Sequence, residues 1–380
     1  MTLQNDPFLR ISNSINNPYI KKSNKKIIGY YCTYIPEELL AAAGLFPFRI
    51  RATGVKETDS ADIYMVRFTC SFVRATLHHA LQGGYDFLDG FLVCNSCDHS
   101  RRMFELFDFK VFNREGFKKK IPRFYLALPH ILSKEGFEWY NQEIKELKQE
   151  IESNYNIDRI TNENLLESIK VYNENRSLLR EIHSLRIADS PKINGSEALQ
   201  IAMANSSVPK DIANIELMRI FNLLKDSEGI KTKKKRIMLV GSVVDDIEFT
   251  QLVENSGAII VSDFLCFGTR NFLDDVKITP GGDPIKDITS RVYYRISCPR
   301  MMDDHENRLK YLKTEIDRAN VDGVLLQRIN NCDLHGCDNM LFEHELKELD
   351  IPVFNIDREE VQADNARFQT RIEAFLEMIK

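Results

Sequence analysis

The residues best equipped for chemistry in this 380-residue chain are its eight cysteines: Cys32, Cys70, Cys94, Cys97, Cys266, Cys298, Cys332 and Cys337. Three of them stand where a thiol becomes useful. Cys70 immediately precedes a helical pattern at Ser71–Leu81, so its thiolate would meet the positive end of that helix, which lowers a thiol pKa. Cys97 lies just past an apolar strand, Phe87–Val93, and Cys332 just past another, Gly323–Gln327. Parallel sheets present ligands at the carboxyl ends of their strands. Thiols from both halves of the chain can therefore converge on one cleft. Three protein thiolates leave one iron of a four-iron cube open, free to bind substrate as a Lewis acid and to pass an electron.

Other readings of the thiols stand beside this one. Cysteine is often a small buried hydrophobe. Cys94 and Cys97, with two residues between them, resemble half a zinc site or a redox pair, and Cys332 and Cys337 could supply the second half. Structural zinc sites usually have tighter spacing than this second pair. A thioredoxin-type pair normally opens a helix in a small domain. Eight cysteines are too few for a disulfide scaffold in a chain of this length.

The elements that must position these residues follow an alternating order. In the first part, strands at 26–32, 46–50, 87–93 and 123–128 alternate with helices at 37–43, 71–81 and 99–107. Pro36 opens the first helix and Gly44 closes it. From Lys134 to about Lys225, apolar residues recur at helical spacing with heavy charge between them, most clearly at 135–155 and 162–188. The last part repeats the strand–helix logic, with strands at 236–241, 258–262, 323–327 and 351–356 and helices at 248–255, 306–320, 343–349 and 368–379. The expectation is an α/β protein of two doubly wound Rossmann-like lobes with parallel sheets. An N-terminal lobe over 1–133, a helical connector over 134–230 and a C-terminal lobe over 231–380 enclose a cleft between the lobes.

Composition narrows the class. Hydrophobic residues make up 43% and charged residues 28%, the balance of a globular protein. The net charge of -5 carries no nucleic-acid footprint. Met1–Asn17 is polar and lacks an apolar signal core, and no apolar run is long enough for a membrane span. A cytoplasmic location, with neither nucleic acid nor membrane as partner, is expected. No Gly-x-Gly-x-x-Gly or Walker lysine motif appears, which argues against NAD or ATP bound by this chain.

Several stretches in order carry a family resemblance. They are Gly29–Leu39 (GYYCTYIPEEL), Ala42–Leu45, Thr69–Arg74 (TCSFVR), Asn95–Arg102 (NSCDHSRR), Ser262–Arg270 (SDFLCFGTR), Cys298-Pro299, Asn331–Asp333 and Thr370–Phe375. Together they resemble the 2-hydroxyacyl-CoA dehydratase D-component family, which also holds benzoyl-CoA reductase subunits and double-cubane-cluster proteins. The resemblance implies a [4Fe-4S] cluster held by Cys70, Cys97 and Cys332, with the cluster in the interlobe cleft. It implies a homologous second subunit, or a homodimer, and an ATP-dependent iron–sulfur activator protein that delivers one electron under anaerobic conditions. The implied reaction is radical elimination of water from a 2-hydroxyacyl-CoA through a ketyl. The alternatives within the family are a benzoyl-CoA reductase-type or double-cubane-type reductase subunit, or a non-catalytic partner. Cys32, Cys266 and Cys298 fall where some double-cubane relatives carry cysteine, but no thiol lies near Gly83–Phe87, which favours a single cube.

Three further residues are candidates for catalysis. Glu37 and Glu38 at a helix start either complement the helix dipole or anchor substrate and accept a proton. His99, two residues past Cys97, either carries a proton or caps a helix. Arg74, Arg101 and Arg102 could meet the CoA phosphates, although arginines on helices are more often solvated. Gly281-Gly282-Asp283-Pro284 reads as a turn.

Overall fold

A computed structural model describes residues 3, 6–11, 17–52, 54–359 and 365–379. Part of the polar opening stretch, at 1–2, 4–5 and 12–16, lies outside the described residues. Two short helices come first, α1 (Pro7–Arg10) and α2 (Pro18–Lys22). The first sheet is built from β1 (Ile27–Tyr30), β2 (Phe46–Arg49), β3 (Gly90–Cys94) and β4 (Arg123–Leu126). Between its strands run α3 (Glu37–Ala42), α4 (Asp59–Asp62), α5 (Ser71–Leu81) and α6 (Asp98–Leu106). All pairings are parallel, in the order β2-β1-β3-β4.

The connecting region is helical throughout: α7 (Lys134–Tyr155), α8 (Asn162–Ile187), α9 (Gly195–Asn205) and α10 (Lys210–Lys225). Ser133, Thr161 and Asn194 cap the first three with side-chain acceptors, the usual device for satisfying orphan helix N–H groups. The second sheet contains β5 (Lys235–Gly241), β6 (Ala258–Phe264), β7 (Gly323–Ile329) and β8 (Val353–Arg358). Around it lie α11 (Ile247–Asn255), α12 (Pro284–Tyr294), α13 (His305–Arg318), α14 (Asp333–Glu348) and α15 (Asn365–Met378). This sheet is also parallel, in the order β6-β5-β7-β8. The two Rossmann-like lobes expected from the strand–helix alternation are present.

The turn expected at Gly281–Pro284 is present, with Gly281 at φ 69° and the Gly282 N–H donating to the Thr279 carbonyl at 2.9 Å, and it leads into α12, where Asp283 accepts the Ile285 N–H and Pro284 takes the first position, its missing N–H costing nothing there. One local expectation changes. The helix expected at 343–349 begins ten residues earlier, directly after Cys332.

Each lobe reverses its winding between its first and third strands, and ligands bind at such switch points. In the second lobe the reversal is tight. Gly241, with φ of 135°, lies so close to β7 that a Cβ there would stand 1.8 Å from the Gln327 carbonyl oxygen. Ser242 accepts the Gln327 side-chain amide at its carbonyl and bonds the Ile329 N–H through its hydroxyl.

The lobes meet carboxyl end to carboxyl end through buried polar contacts. Arg300, 1% exposed, reaches from the second lobe and donates to the Asn95 carbonyl at 2.9 Å and to the carbonyls of Leu128 and Pro129. Arg295 donates to the Thr33 hydroxyl at 2.6 Å, and Arg49 donates to the Cys266 carbonyl at 2.7 Å. The Ala52 N–H donates to Asp245 at 2.6 Å. The connector α8 holds both lobes, the first through Arg176–Glu38 (2.7 Å) and the second through His183–Glu315 and Arg186–Asp263 (each 2.7 Å).

Candidate functional site

Among the described residues, three helices open immediately after a cysteine. Cys70 precedes α5, Cys97 precedes α6 and Cys332 precedes α14. At each of these ends the unpaired N–H groups and the helix dipole favour negative charge. Cys97 is fixed most firmly. Its sulfur accepts the Ser100 N–H at 3.4 Å, while the Ser100 hydroxyl accepts the Cys97 N–H at 3.1 Å, which closes a capping box. Cys332 closes no capping box.

Contacts between neighbouring residues bring these ends together. The Cys70 N–H donates to Nδ1 of His99 at 3.3 Å, two residues past Cys97. The Asn331 side chain donates to the Arg67 carbonyl at 3.4 Å, joining the turn before Cys332 to the segment before Cys70. His99 lies within electrostatic range of Asp333. Cys332 lies within such range of Cys97 and Cys298, and Tyr31 within range of both Cys70 and Cys97. Among the described residues, no group of three His, Cys, Asp or Glu side chains stands close enough to hold a single metal ion.

Burial governs the ionisation of these thiols. It pushes the Cys97 thiol up despite the hydrogen bonds from Ser100, and it pushes Cys332 up to about 12. Cys298 is raised for the same reason, against the lowering effect of the Arg270 guanidinium. Cys32 behaves in the opposite way: a hydrogen bond from Cys94 holds it below the usual thiol range, while the Cys94 thiol goes up. Cys94 belongs to β3 and is fully buried, so it and Cys97 occupy different settings. Cys337 is exposed on α14.

Several cleft residues escaped the sequence reading. Arg49, Arg270 and Arg295 are each 5% exposed or less, and each guanidinium leaves its Nε without a hydrogen-bond partner among the described residues; Arg270 leaves Nη1 so as well. Burial works against the charge of Arg270, but Cys298, Cys266, Tyr34 and Cys32 around it favour the cation. The loop that carries Cys266 and Arg270 is fixed by Asp263, which accepts the N–H groups of Leu265 (3.2 Å) and Thr269 (2.9 Å). Gly268 is required there, since a Cβ would stand 1.9 Å from that carboxylate. The signal for Arg270 was the SDFLCFGTR stretch itself, in which an arginine follows a cysteine within a strand-end loop.

The other candidates have definite surroundings. Glu38 is 2% exposed and paired with Arg176; burial would raise its carboxyl, but the guanidinium outweighs that and lowers it. Glu37 faces Lys210 at 3.7 Å, and its Oε2 has no hydrogen-bond partner among the described residues. Burial lowers the pKa of His99, so it is neutral at pH 7, with Nδ1 accepting from Cys70. Arg74 is committed to Asp62 and Thr58, whereas Arg101 and Arg102 lie on the exposed side of α6.

Comparison with known proteins places this geometry in a family. The model of the 2-hydroxyglutaryl-CoA dehydratase D-component matches residues 32–379. The chain is 23% identical over 361 residues to the (R)-phenyllactyl-CoA dehydratase beta subunit of Clostridium sporogenes, covering 95% of this chain and 94% of that one. It is 25% identical over 362 residues to a benzoyl-CoA reductase subunit of Thauera aromatica, covering 94% and 92%. It is 24% identical over 367 residues to the (R)-2-hydroxyglutaryl-CoA dehydratase subunit beta of Acidaminococcus fermentans, covering 94% of each. Among the described residues, no helix is long and apolar enough to cross a membrane. The chain belongs to the 2-hydroxyglutaryl-CoA dehydratase D-component family.

Proposed function

We propose that this chain is the iron–sulfur subunit of a 2-hydroxyacyl-CoA dehydratase-type enzyme, a lyase that removes water from a 2-hydroxyacyl-CoA after one-electron activation. The observation that carries this reading is the meeting of three helix N-termini, each opening at a cysteine, where the carboxyl ends of two parallel sheets face one another. Cys70, Cys97 and Cys332 would hold a [4Fe-4S] cluster. Such a cluster supplies an open iron and a low-potential electron.

The donor set fits the group. A cube with three thiolates carries net negative charge, and Arg270 supplies a buried guanidinium with two nitrogens lacking partners among the described residues, beside Cys298, Cys266 and Cys32. The Cys97 and Cys332 thiols, each half-buried, are pushed up by desolvation, and metal binding deprotonates such ligands. The Ser100 N–H and the N-terminus of α6 already point at Cys97. His99, neutral and held by the Cys70 N–H through Nδ1, has Nε2 as its proton-bearing atom and is assigned the proton-carrying role. Glu37 keeps an unbonded carboxylate oxygen and is the second candidate, whereas Glu38 positions α8 through Arg176. Arg300 and Arg295 hold the lobe junction together through buried donors.

Three relatives of this chain are named as dehydratase or reductase subunits, which supports a second subunit as partner; the electron source in this reading is an activator ATPase. A cytoplasmic, anaerobic setting follows from that chemistry. The benzoyl-CoA reductase relative favours a second reading, in which the chain serves a reductase of aromatic acyl-CoA.

Anaerobic purification or reconstitution, with iron and sulfide analysis and EPR, tests the assignment. About four irons per chain are expected, as for one cube. Full iron retained in Cys70→Ala, Cys97→Ala and Cys332→Ala alike would overturn the ligand set. Product analysis with the partner present separates the two readings, since dehydration leaves the redox state of substrate unchanged and reduction consumes electrons stoichiometrically.

A further inference from the structure

The first lobe holds a second thiol arrangement that this function does not use. Strands β1 and β3 are adjacent and parallel, with Tyr30 opposite Leu92. Two residues further along each chain stand Cys32 and Cys94. Side chains two apart in a strand share a face, so Ile28 and Tyr30 of β1 and Leu92 and Cys94 of β3 lie in one apolar cluster; Cys32, just past the end of β1, packs against it. Each thiol acts on the other's ionisation, Cys94 lowering Cys32 and Cys32 raising Cys94. Neighbouring strands run about 4.8 Å apart, inside the roughly 4.4–6.8 Å between Cα atoms that a disulfide spans. The pair is therefore placed to bond with little backbone movement.

Access to the two thiols is unequal. Cys94 is 0% exposed, among Tyr140, Leu126 and Leu128, while Cys32 is half-buried at the strand end. Only Cys32 can meet a reagent from solvent, and the thiol behind it is positioned to resolve whatever adduct forms. That is the division of labour in a thiol–disulfide exchange pair.

We propose that Cys32 and Cys94 form a redox-active dithiol, which a low-molecular-weight disulfide of the glutathione type converts into an intramolecular disulfide. In the first step the Cys32 thiolate attacks one sulfur of the small disulfide. The S–S bond breaks, a mixed disulfide forms on Cys32 and one small thiolate leaves. In the second step Cys94 gives up its proton to solvent, attacks the Cys32 sulfur and displaces the second small thiolate. The protein loses two electrons and two protons, and the small disulfide gains both as two thiols. The new bond ties the end of β1 to the end of β3, three residues before Cys97, and so couples the state of this pair to the turn that carries a proposed cluster ligand.

The test is independent of any cluster. The full chain, purified anaerobically, is incubated with oxidised glutathione, alkylated, digested without reductant and mapped by mass spectrometry. The Cys32 and Cys94 peptides are expected as one disulfide-linked species, with alkylation of both falling together by at least about tenfold and restored by dithiothreitol. In Cys94→Ser, glutathione should remain on Cys32 as a stable mixed disulfide. Free alkylation of both thiols in the wild type, or glutathione retained on wild-type Cys32, would overturn the proposal. The wild-type map decides this even if the variant does not fold.

Discussion

The two lobes share one strand order, β2-β1-β3-β4 and β6-β5-β7-β8, yet they equip it unequally. After the third strand of each sheet the chain reaches a cysteine that opens a helix, Cys97 in the first lobe and Cys332 in the second. The helix that leads into that third strand differs. In the first lobe it is α5, which opens at Cys70; in the second it is α13, which opens after Asp304. The nearest thiol upstream of α13 is Cys298, whose N–H donates to the Tyr34 hydroxyl across the lobe junction at 3.1 Å. A common frame thus fixes where side chains are presented, and residue choice decides whether the position offers a thiol. The first lobe offers two of the proposed ligands and the second one.

That asymmetry can be broken by mutation. The largest effect is expected at the proposed ligands: alanine at Cys70, Cys97 or Cys332 should each abolish the iron absorbance of anaerobically prepared protein, while Cys94→Ala should retain it. Visible spectra and iron content check this directly. A smaller effect is expected at the lobe junction. Arg300→Ala leaves the buried carbonyls of Asn95, Leu128 and Pro129 without this donor and should cost about 3 kcal/mol or more, since each stranded buried acceptor costs about 1–3 kcal/mol. Urea unfolding of the metal-free chain measures it.

The connector offers a third comparison, in pH. Burial alone would raise Glu315, but His183, Ser262 and Arg318 bring it down to about 2. A depressed carboxyl contributes stability that is fully present above its unfolded pKa and is lost as pH falls through the folded value. Stability should therefore decline as pH drops from about 4.5 towards 2, and Glu315→Gln should flatten that part of the acid limb in urea titrations at stepped pH. The smallest effect belongs to the cap that distinguishes Cys97 from Cys332. Ser100→Ala removes one half of the capping box and should cost about 1 kcal/mol, read as a lower midpoint in thermal or urea unfolding.

Much of this frame was legible in the sequence because buried parallel strands are short apolar runs bounded by turn residues. The placement of Cys97 and Cys332 after strands, and of Cys70 before a helix, followed from those runs. Two helix starts escaped the sequence for identifiable reasons. The glycine turn at 281–282 was legible, but the Asp283-Pro284 cap and first-turn pair right after it was not read as opening α12. In α14 the opening Asp333-Leu334-His335-Gly336-Cys337 has weak apolar periodicity, and a buried histidine interrupts what little there is. The buried arginines were hidden more deeply. An arginine in a sequence is read as solvated, and only the folded arrangement shows Arg49, Arg270, Arg295 and Arg300 inside the molecule. Glu38 was hidden in the same way, because its partner Arg176 lies 138 positions away.

Arg300 carries a mechanical consequence. It is rooted in one half of the molecule, yet the acceptors it satisfies belong to the other. Swinging the halves apart like a clam would unplug all of them in a single movement and leave a cation stranded.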